Sequence, residues 1–578
     1  MNKRFESLDS NDQMRSNKEV PDDTSSGSSK RAYFERKDEQ GRRILTEDMA
    51  PEVLGYAFSE RKKYMIITVI AILQISMNFN TSVYPNAVVS ISQTWDVSEQ
   101  AARVGQMIFL VLYAFGCELW APWSEEYGRW PILQLSLFLV NIWSLMQSLA
   151  PNYATMIIGR ALAGLSSAGG SVTLGLCADL WSADTQQYGV AYVVWSSVTG
   201  TTVGPIVGGF LQSFAPSWRW IFWIQLIFGG FTQVLHLLFV PETRSSILLD
   251  REAKKRRQEA AKAGKTVPNI WGPNEVKAQR ITMKDITITF IRPFEFFLKE
   301  PIVLFCSLLS GFSDMLIFIF LESYNPGRRY SSNGILSPIK SVLLLFREFI
   351  HRELLSLTKT VSGLVISLGR HNRTSTMVKL INFSWGSFLP FIRRDIKRRK
   401  IDPYSVTPES RLYWLLYTAP LEAIGLFGFA WTSLPPEEYE THWIAPMIFA
   451  ALIGIANYCI YMATIDYMVA AYGPYSSSAT GGNGFARDLL AGISAMFSTP
   501  FYSHFKGRNK LTYPSTILAC IAAVLVAPIF MLYFYGPTVR RKSRFAQSLN
   551  QENESTKIRK QVRDEKALGS AKHIENSA

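Results

Sequence analysis

The stretch APWSEEYGRWP, residues Ala121 to Pro131, joins two long apolar segments of the chain. Gly128 lacks a side chain and therefore permits a tight turn. Glu125 and Arg129 can form charge-assisted hydrogen bonds to each other or to the helix ends on either side. A generic charged loop that caps two helices is the alternative interpretation. In both cases the stretch predicts a short connection between two consecutive helices.

The composition on both sides of this turn indicates an integral membrane protein. Of the 578 residues, 48% are apolar and only 18% are charged, against about 25% charged residues in ordinary globular domains. A helix needs about 20 apolar residues to cross the hydrocarbon core of a bilayer. Eleven segments meet this length: Tyr64–Tyr84, Val104–Ser124, Pro131–Leu149, Tyr153–Trp181, Gly189–Phe214, Trp220–Val240, Pro301–Ser323, Leu412–Ser433, Trp443–Met468, Ser476–Tyr502 and Tyr513–Tyr535.

The charged residues are concentrated in the two tails and in a central loop. The formal net charge of +14 comes mainly from Lys and Arg in these regions, which the positive-inside rule places in the cytosol. The polar N-terminus has no apolar core of a signal peptide and predicts a disordered cytosolic tail. No zinc-finger or RNA-binding signature accompanies the positive charge, so we do not predict a nucleic-acid partner.

Cysteine and histidine spacing gives no sign of a disulfide framework or a metal site. The five cysteines are far apart within apolar segments, and the six histidines are scattered. We therefore expect packing cysteines and no bound metal.

Two further motifs lie inside predicted spans. The fifth span contains GTTVGPIVGGF, with Gly200, Gly204, Pro205, Gly208 and Gly209. Glycines four residues apart allow two helices to approach closely, and a proline bends a helix. Ordinary small-residue packing is the alternative.

The fourth span carries Arg160, which we expect to face a polar cavity or to pair with an acid, because a charge is costly inside a membrane.

Taken in order, these three motifs resemble those of the major facilitator superfamily. Residues Ala121 to Arg129 match its pattern G-x-x-x-[DE]-x-x-G-[RK], except that Ala121 replaces the first glycine. Arg160 matches the family arginine of the fourth span, and GTTVGPIVGG matches a fifth-span motif that this superfamily associates with antiporters. The resemblance implies an all-α integral membrane fold of two six-helix bundles.

A narrower set of stretches is similar to the fungal twelve-span drug:proton antiporters. They are SEEYGRWP, CADLWSADTQQYGVAYVVWSS, WRWIFWIQLI, VPETR, RRDIKRRK and YGPYSSSATGGNGFARD. The similarity covers the chain from Tyr64 to Thr538 except for residues 326–380. It implies export of drugs, polyamines or secondary metabolites by a monomer in the plasma membrane, or alternatively the vacuolar membrane, driven by the proton gradient without a cofactor.

This resemblance, together with the span count, divides the chain into five parts. We predict a disordered cytosolic tail at 1–63, a first six-helix bundle at 64–241 and a basic cytosolic loop at 242–300. A second bundle follows at 301–536, and a cytosolic tail at 537–578 ends the chain.

Acidic residues within the spans are the first candidates for binding protons or substrate. Asp314 and Glu422 lie near the middle of their spans, whereas Glu322 and Asp466 lie near span ends, where contact with interfacial water is the alternative. Arg487 and Asp488 could instead be structural partners of other helices. The predicted cavity residues are Asn78, Asn80, Tyr84, Glu118, Asp314, Glu322, Glu422, Asn457, Tyr461, Asp466 and Arg487.

The predicted mechanism is exchange of a substrate for protons. A buried carboxylate would bind either a proton or a cationic or polar substrate, and the two bundles would rock around a midplane site. Uptake by proton symport and a non-transporting receptor on the same scaffold are the alternatives.

An ATP-driven pump is excluded. The stretch AKAGKT (Ala261–Thr266) contains GKT, but a phosphate-binding loop also needs a glycine five residues before Gly264, and Glu259 stands at that position. No catalytic residues, and hence no enzyme, are predicted.

One span of the expected twelve is missing between Ser323 and Arg393. The best candidate for the eighth span is Met377–Ile392, a stretch of only sixteen residues. At helical rise it is about 24 Å long, which is short of the hydrocarbon core of about 30 Å.

One codon choice for Arg329–Leu336, read one base earlier, encodes VFKQWDF, which is close to the sequence expected after the seventh span. We therefore interpret residues 326–380 as a gene-model error, a frame error followed by retained intron. A genuine insertion is the alternative.

Overall fold

The computed structural model describes residues 41–181, 186–264, 269–276, 291, 294–323, 394–395, 398, 408–433, 444–472, 476–505 and 511–543. The anomalous segment 326–380, the candidate eighth span, and residues 1–40 and 544–578 of the outer tails lie outside these residues. The eighth helix and the interpretation of residues 326–380 therefore stay predictions.

The first half consists of long helices joined by short connections. The helices are α1 (Glu60–Ser82), α2 (Val88–Trp95), α3 (Glu99–Tyr127), α4 (Arg129–Ser148), α5 (Tyr153–Ser167), α6 (Val172–Leu180), α7 (Gln186–Phe214) and α8 (Trp220–Phe239). Two of them begin at side-chain caps: the Ser98 hydroxyl accepts a hydrogen bond from the amide of Ala101, and the Asn152 carboxamide from that of Thr155. Such caps satisfy amide groups that the first helical turn leaves unpaired.

The second half repeats the pattern after a polar helix. That helix is α9 (Ser245–Lys262), and it is followed by α10 (Pro301–Ser323), α11 (Leu415–Thr418), α12 (Pro420–Thr432), α13 (Ile444–Tyr472), α14 (Ser476–His504) and α15 (Thr512–Lys542). Short 3-10 turns precede α1, α2, α6 and α11.

All eleven predicted spans coincide with helices, although several bounds were wrong. The fourth span is broken by the 3-10 turn Ala168–Ser171, and the span predicted at Leu412–Ser433 is divided between α11 and α12 at Pro420. Within the described ranges, nine helical segments are long and apolar enough to cross a membrane. The helices α4 and α14 are not among the nine, and both carry several polar residues.

The glycine motif of the fifth span brings α7 against α1. A β-carbon at Gly200 would lie 2.7 Å from the carbonyl oxygen of Ile75, and β-carbons at Gly204 and Gly208 would collide with Ser82 and Asn86. The glycines therefore allow close approach of the two helices. A β-carbon at Gly209 would meet no atom within 4 Å, so the close approach does not require this glycine. Pro205 lies within α7.

A small structured unit joins the segment before α1 to the residues after α9. The strands β1 (Arg43–Ile44) and β2 (Ile270–Trp271) pair in parallel. Beneath them Leu45, Ala50, Leu54, Leu249 and Ala253 form a separate buried cluster. The guanidinium of Arg257 lies 4.3 Å from the centre of the Trp271 ring and 2.7 Å from the Glu275 carboxylate. Residues 42–57, placed in a disordered tail by the sequence, are thus ordered against α9.

Candidate functional site

A small polar cavity lies where helices of the two halves meet; we call it the Arg487 cavity. Helices α1, α3 and α7 of the first half and α10, α13 and α14 of the second half contribute side chains to it. The lining residues are Asn78, Thr81, Leu110, Tyr113, Ser197, Val198, Thr201, Asp314, Ile317, Phe318, Asn457, Tyr461, Arg487 and Asp488. Five of the predicted cavity residues are among them: Asn78, Asp314, Asn457, Tyr461 and Arg487.

A charged cluster occupies the second-half wall of this cavity. The guanidinium of Arg487 lies 3.1 Å from the Asp488 carboxylate and 3.6 Å from that of Asp314, and its carbon is 4.6 Å from the centre of the Tyr461 ring. The three charged side chains are 15%, 6% and 24% exposed, respectively. One cation thus faces two carboxylates, which leaves the cluster with an excess of negative charge.

The Arg487 cavity is closed in this conformation. Its free volume is about 30 Å³, whereas sites for drug-sized ligands have roughly 300–1,000 Å³. A substrate of that size could enter only if the helices of the two halves moved apart.

Arg160 forms a second polar centre, which does not line the cavity. Its guanidinium donates hydrogen bonds to the Gly105 carbonyl, to the carbonyl and side-chain oxygens of Asn80 and to the Gln106 carboxamide. The rings of Tyr84 and Phe109 lie 4.5 and 4.1 Å from its central carbon. The expectation that Arg160 pairs with an acid or faces the cavity was wrong, because uncharged oxygens and aromatic rings surround it. Asn80 and Tyr84 belong to this centre.

The remaining predicted acids lie in different surroundings. The Glu118 carboxyl group is buried against α14, where a β-carbon at Gly481 would lie 2.9 Å from it. Glu422 is completely buried. Asp466 forms an ion pair with Arg411. Glu322 lies in the last turn of α10, and its side chain is outside the described part.

A third polar centre, the Glu242 cluster, surrounds the turn between α3 and α4. One carboxylate oxygen of Glu242 accepts hydrogen bonds at 2.9 Å from the amides of Arg129, Thr243 and Arg244, and the other accepts one at 3.2 Å from the amide of Trp130. The first amides of a helix carry partial positive charge, so the carboxylate stabilises the start of α4.

The Glu242 cluster also holds the side chain of Arg129. The Arg129 guanidinium bonds to the Asp179 carboxylate at 3.1 Å and to the Ser124 hydroxyl at 2.6 Å. Arg244 reaches the other oxygen of Asp179 at 3.7 Å. The predicted partner Glu125 is only a peripheral contact, 4.0 Å from Arg129 and 42% exposed.

Sequence reasoning missed Glu242 and Asp179 as members of this centre. Both occur in stretches that carried the resemblance, VPETR and CADLW, and they are the charged residues nearest the ends of their spans. Glu242 lies 113 residues and Asp179 lies 50 residues from Arg129 along the chain. Sequence spacing therefore does not indicate that they contact it.

Replacement of Gly128 by alanine is expected to destabilise the protein, because Gly128 combines a positive φ of +106° with direct contact to Glu242. Left-handed backbone costs a non-glycine residue about 1–3 kcal/mol, and the added methyl group would also displace the Glu242 carboxylate. Thermal unfolding of the purified Gly128→Ala variant measures the effect. Gly264→Ala is the matched control, since Gly264 has a φ of +63° but no atom within 4 Å of an added β-carbon. Equal losses in the two variants would contradict the contact argument.

Comparison with known proteins places this architecture in a family. The family profile described as Major Facilitator Superfamily matches residues 68–349. The MFS-type transporter acdC of Aspergillus candidus is 28% identical over 495 residues, which cover 84% of this chain and 87% of the relative. The chain belongs to the major facilitator superfamily. It is a multi-pass membrane transporter and not an enzyme.

Other relatives of this transporter are also fungal. The ascochitine biosynthesis cluster MFS transporter of Didymella fabae is 27% identical over 84% of this chain and 86% of its own length. The efflux pump FUBT of Fusarium oxysporum is 26% identical over 84% of this chain and 74% of its own. In the described part of the transporter, no group of three or more acidic, cysteine or histidine residues could hold a metal ion.

Proposed function

We propose that this transporter exports small organic molecules across the plasma membrane in exchange for protons, with both termini in the cytosol. The observation that carries the proposal is the Arg487 cluster, in which two carboxylates and one guanidinium line a cavity between the two halves. Charged groups inside membrane proteins are costly and mark substrate or ion pathways.

The charge of the cluster favours organic cations, such as polyamines or cationic drugs, as substrates. Asp314 is held by Arg487 at 3.6 Å and is the more exposed of the two acids, so a cationic group of the substrate could compete with Arg487 for it. Tyr461 and Tyr113 add aromatic faces, to which organic cations bind well. The closed cavity is too small for such a ligand, and binding therefore requires the two halves to separate.

A fungal secondary metabolite is the second candidate substrate. The support comes from the relatives, which include transporters of the ascochitine and citrinin biosynthesis clusters and an efflux pump. A neutral or polar metabolite could use Asn78, Asn457 and Tyr461 of the same cavity as hydrogen-bonding partners.

The proposed cycle is exchange around the Arg487 cavity. The contact of α3 with α14 would hold the halves together at one end, and its separation would open the cavity to that side. A proton from outside would bind a buried carboxyl group and favour release of the substrate, because the two bound states are alternatives. The proton gradient would then give the exchange its outward direction.

Expression in a pump-deficient yeast strain is expected to increase tolerance to at least one of spermidine, an azole and rhodamine 6G. Asp314→Asn should remove that gain, because it deletes the carboxylate that a cationic substrate would contact. Growth and cellular rhodamine 6G content measure the effect, and immunofluorescence verifies that both proteins reach the plasma membrane. Increased sensitivity or accumulation would indicate uptake by symport. Unchanged tolerance from correctly located wild-type protein would contradict export.

A further inference from the structure

We infer that Glu422 holds the exchanged proton, at a site separate from the Arg487 cavity and linked to it through Ser313 and Asn457. The inference rests on the proposed function, since it names the proton-binding group of the proposed exchange. It assigns proton binding and substrate binding to different carboxylates, whereas a single cavity carboxylate would otherwise have to perform both.

Asp314, Asp466 and Asp488 each form an ion pair with an arginine, whereas Glu422 has no such partner among the described residues. Its side chain is 0% exposed, and neither carboxylate oxygen has a hydrogen-bond partner in the described part of the chain. An unpaired carboxylate in an apolar interior costs far more than its protonated form, so such a group neutralises. The geometry thus assigns Glu422 a proton in this closed conformation.

The helices around Glu422 carry charges, but these have other partners. Glu422 lies in α12, which packs against α11, α13 and α15. Asp466 of α13 binds Arg411, Arg540 of α15 binds Glu409, and Asp314 of α10 binds Arg487. Arg541 and Lys542 lie with Arg540 in the last turn of α15. In the part of the chain that the structure describes, the Ser313 hydroxyl is a polar neighbour of Glu422, although it forms no hydrogen bond with either carboxylate oxygen in this conformation.

Ser313 connects Glu422 to the cavity. Its hydroxyl oxygen accepts a hydrogen bond of 3.1 Å from the carboxamide of Asn457, a residue that lines the cavity. A serine hydroxyl has one donor and two acceptor positions. Protonated Glu422 can donate to that oxygen beside Asn457, whereas ionised Glu422 can only accept the hydroxyl proton, so the two states orient the Ser313 hydroxyl differently. The Asn457 side chain would therefore sense the proton on Glu422.

The chain itself provides a second link, because Ser313 and Asp314 are consecutive residues of α10. A shift of Ser313 toward ionised Glu422 would move the carboxylate that binds Arg487. Proton release from Glu422 and rearrangement of the charged cluster would then be coupled without direct contact between the two sites.

The proton on Glu422 can be detected without any substrate. Infrared spectroscopy of purified wild-type protein at neutral pH is expected to show the carbonyl stretch of protonated carboxyl groups, and Glu422→Gln should remove the part of this band that belongs to Glu422. Ser313→Ala should retain the band at a shifted frequency, because the carboxyl group loses its polar neighbour. Glu259→Gln, which changes an exposed glutamate of α9, should leave the band unchanged. An identical band in Glu422→Gln would overturn the inference.

Transport assays separate the inference from the proposed function. In proteoliposomes with rhodamine 6G as the probe, Glu422→Gln should retain exchange of labelled for unlabelled probe. Its accumulation of the probe under a pH gradient should fall at least roughly tenfold. Asp314→Asn should lose both activities. Gradient-driven accumulation by Glu422→Gln equal to wild type would overturn the inference and leave the proposed function intact. Wild-type exchange that ignores the pH gradient would overturn both.

Discussion

Arg487→Met should abolish transport, with a fall in rate of roughly 100-fold or more. The substitution removes the cation that lies 3.1 Å from Asp488 and 3.6 Å from Asp314, and both carboxylates would remain in a closed cavity. Removal of one partner of a buried ion pair costs about 3–5 kcal/mol, because the other charge is left uncompensated. Initial rates in vesicles that contain equal amounts of folded protein measure the change.

A triple variant distinguishes loss of function from loss of folding. Arg487→Met combined with Asp314→Asn and Asp488→Asn leaves no uncompensated charge in the cavity, so it should recover expression and thermal stability. It should not recover transport, because the acids proposed to meet the substrate are missing. Wild-type transport by either variant would contradict a role for the cluster in substrate binding.

Glu242→Ala should be the most destabilising single change at the Glu242 cluster. Four backbone amides would lose their shared carboxylate acceptor, and a hydrogen bond to a charged group contributes about 1.5–3 kcal/mol. These contributions are not additive, and we expect a total loss of about 3 kcal/mol or more. The midpoint of thermal unfolding and the yield of monodisperse protein measure the effect.

Glu242→Gln provides a graded control for this prediction. Its amide oxygen can replace the carboxylate oxygen that accepts three of the bonds, but its NH2 group would face the Trp130 amide, which is also a donor. The variant should therefore be intermediate between wild type and Glu242→Ala. If alanine and glutamine were equally stable, the carboxylate would not be the group that organises this turn.

The helical arrangement was largely predictable because each span carries its own signal. Twenty or so apolar residues in sequence predict a membrane helix without knowledge of its neighbours. Interruptions were harder to predict. The 3-10 turn at Ala168–Ser171 and the break at Pro420 each lie within a segment that is long and apolar enough to count as one membrane span.

The candidate site was predicted only in part, because its polar contacts join residues far apart in the chain. Sequence reasoning identified Asp314, Tyr461 and Arg487 as polar residues within spans, and the structure places them around one cavity. It distinguished Asp314, near mid-span, from Asp466, near a span end, but it could not predict which arginine lies opposite each acid. Likewise, the lack of a cationic partner for Glu422 among the described residues is a property of packing.

The parallel pairing of Arg43–Ile44 with Ile270–Trp271 has a topological consequence. The polypeptide returns to β1 after α9, so helices α1 to α9 form a loop of chain whose two ends are joined by backbone hydrogen bonds. A chain cut beyond residue 276 would yield an N-terminal fragment whose entry and exit strands are already joined. Co-expression of the two fragments as a split transporter should therefore reconstitute a complex, and fluorophores attached near residues 41 and 276 would report whether the fastening stays closed during turnover.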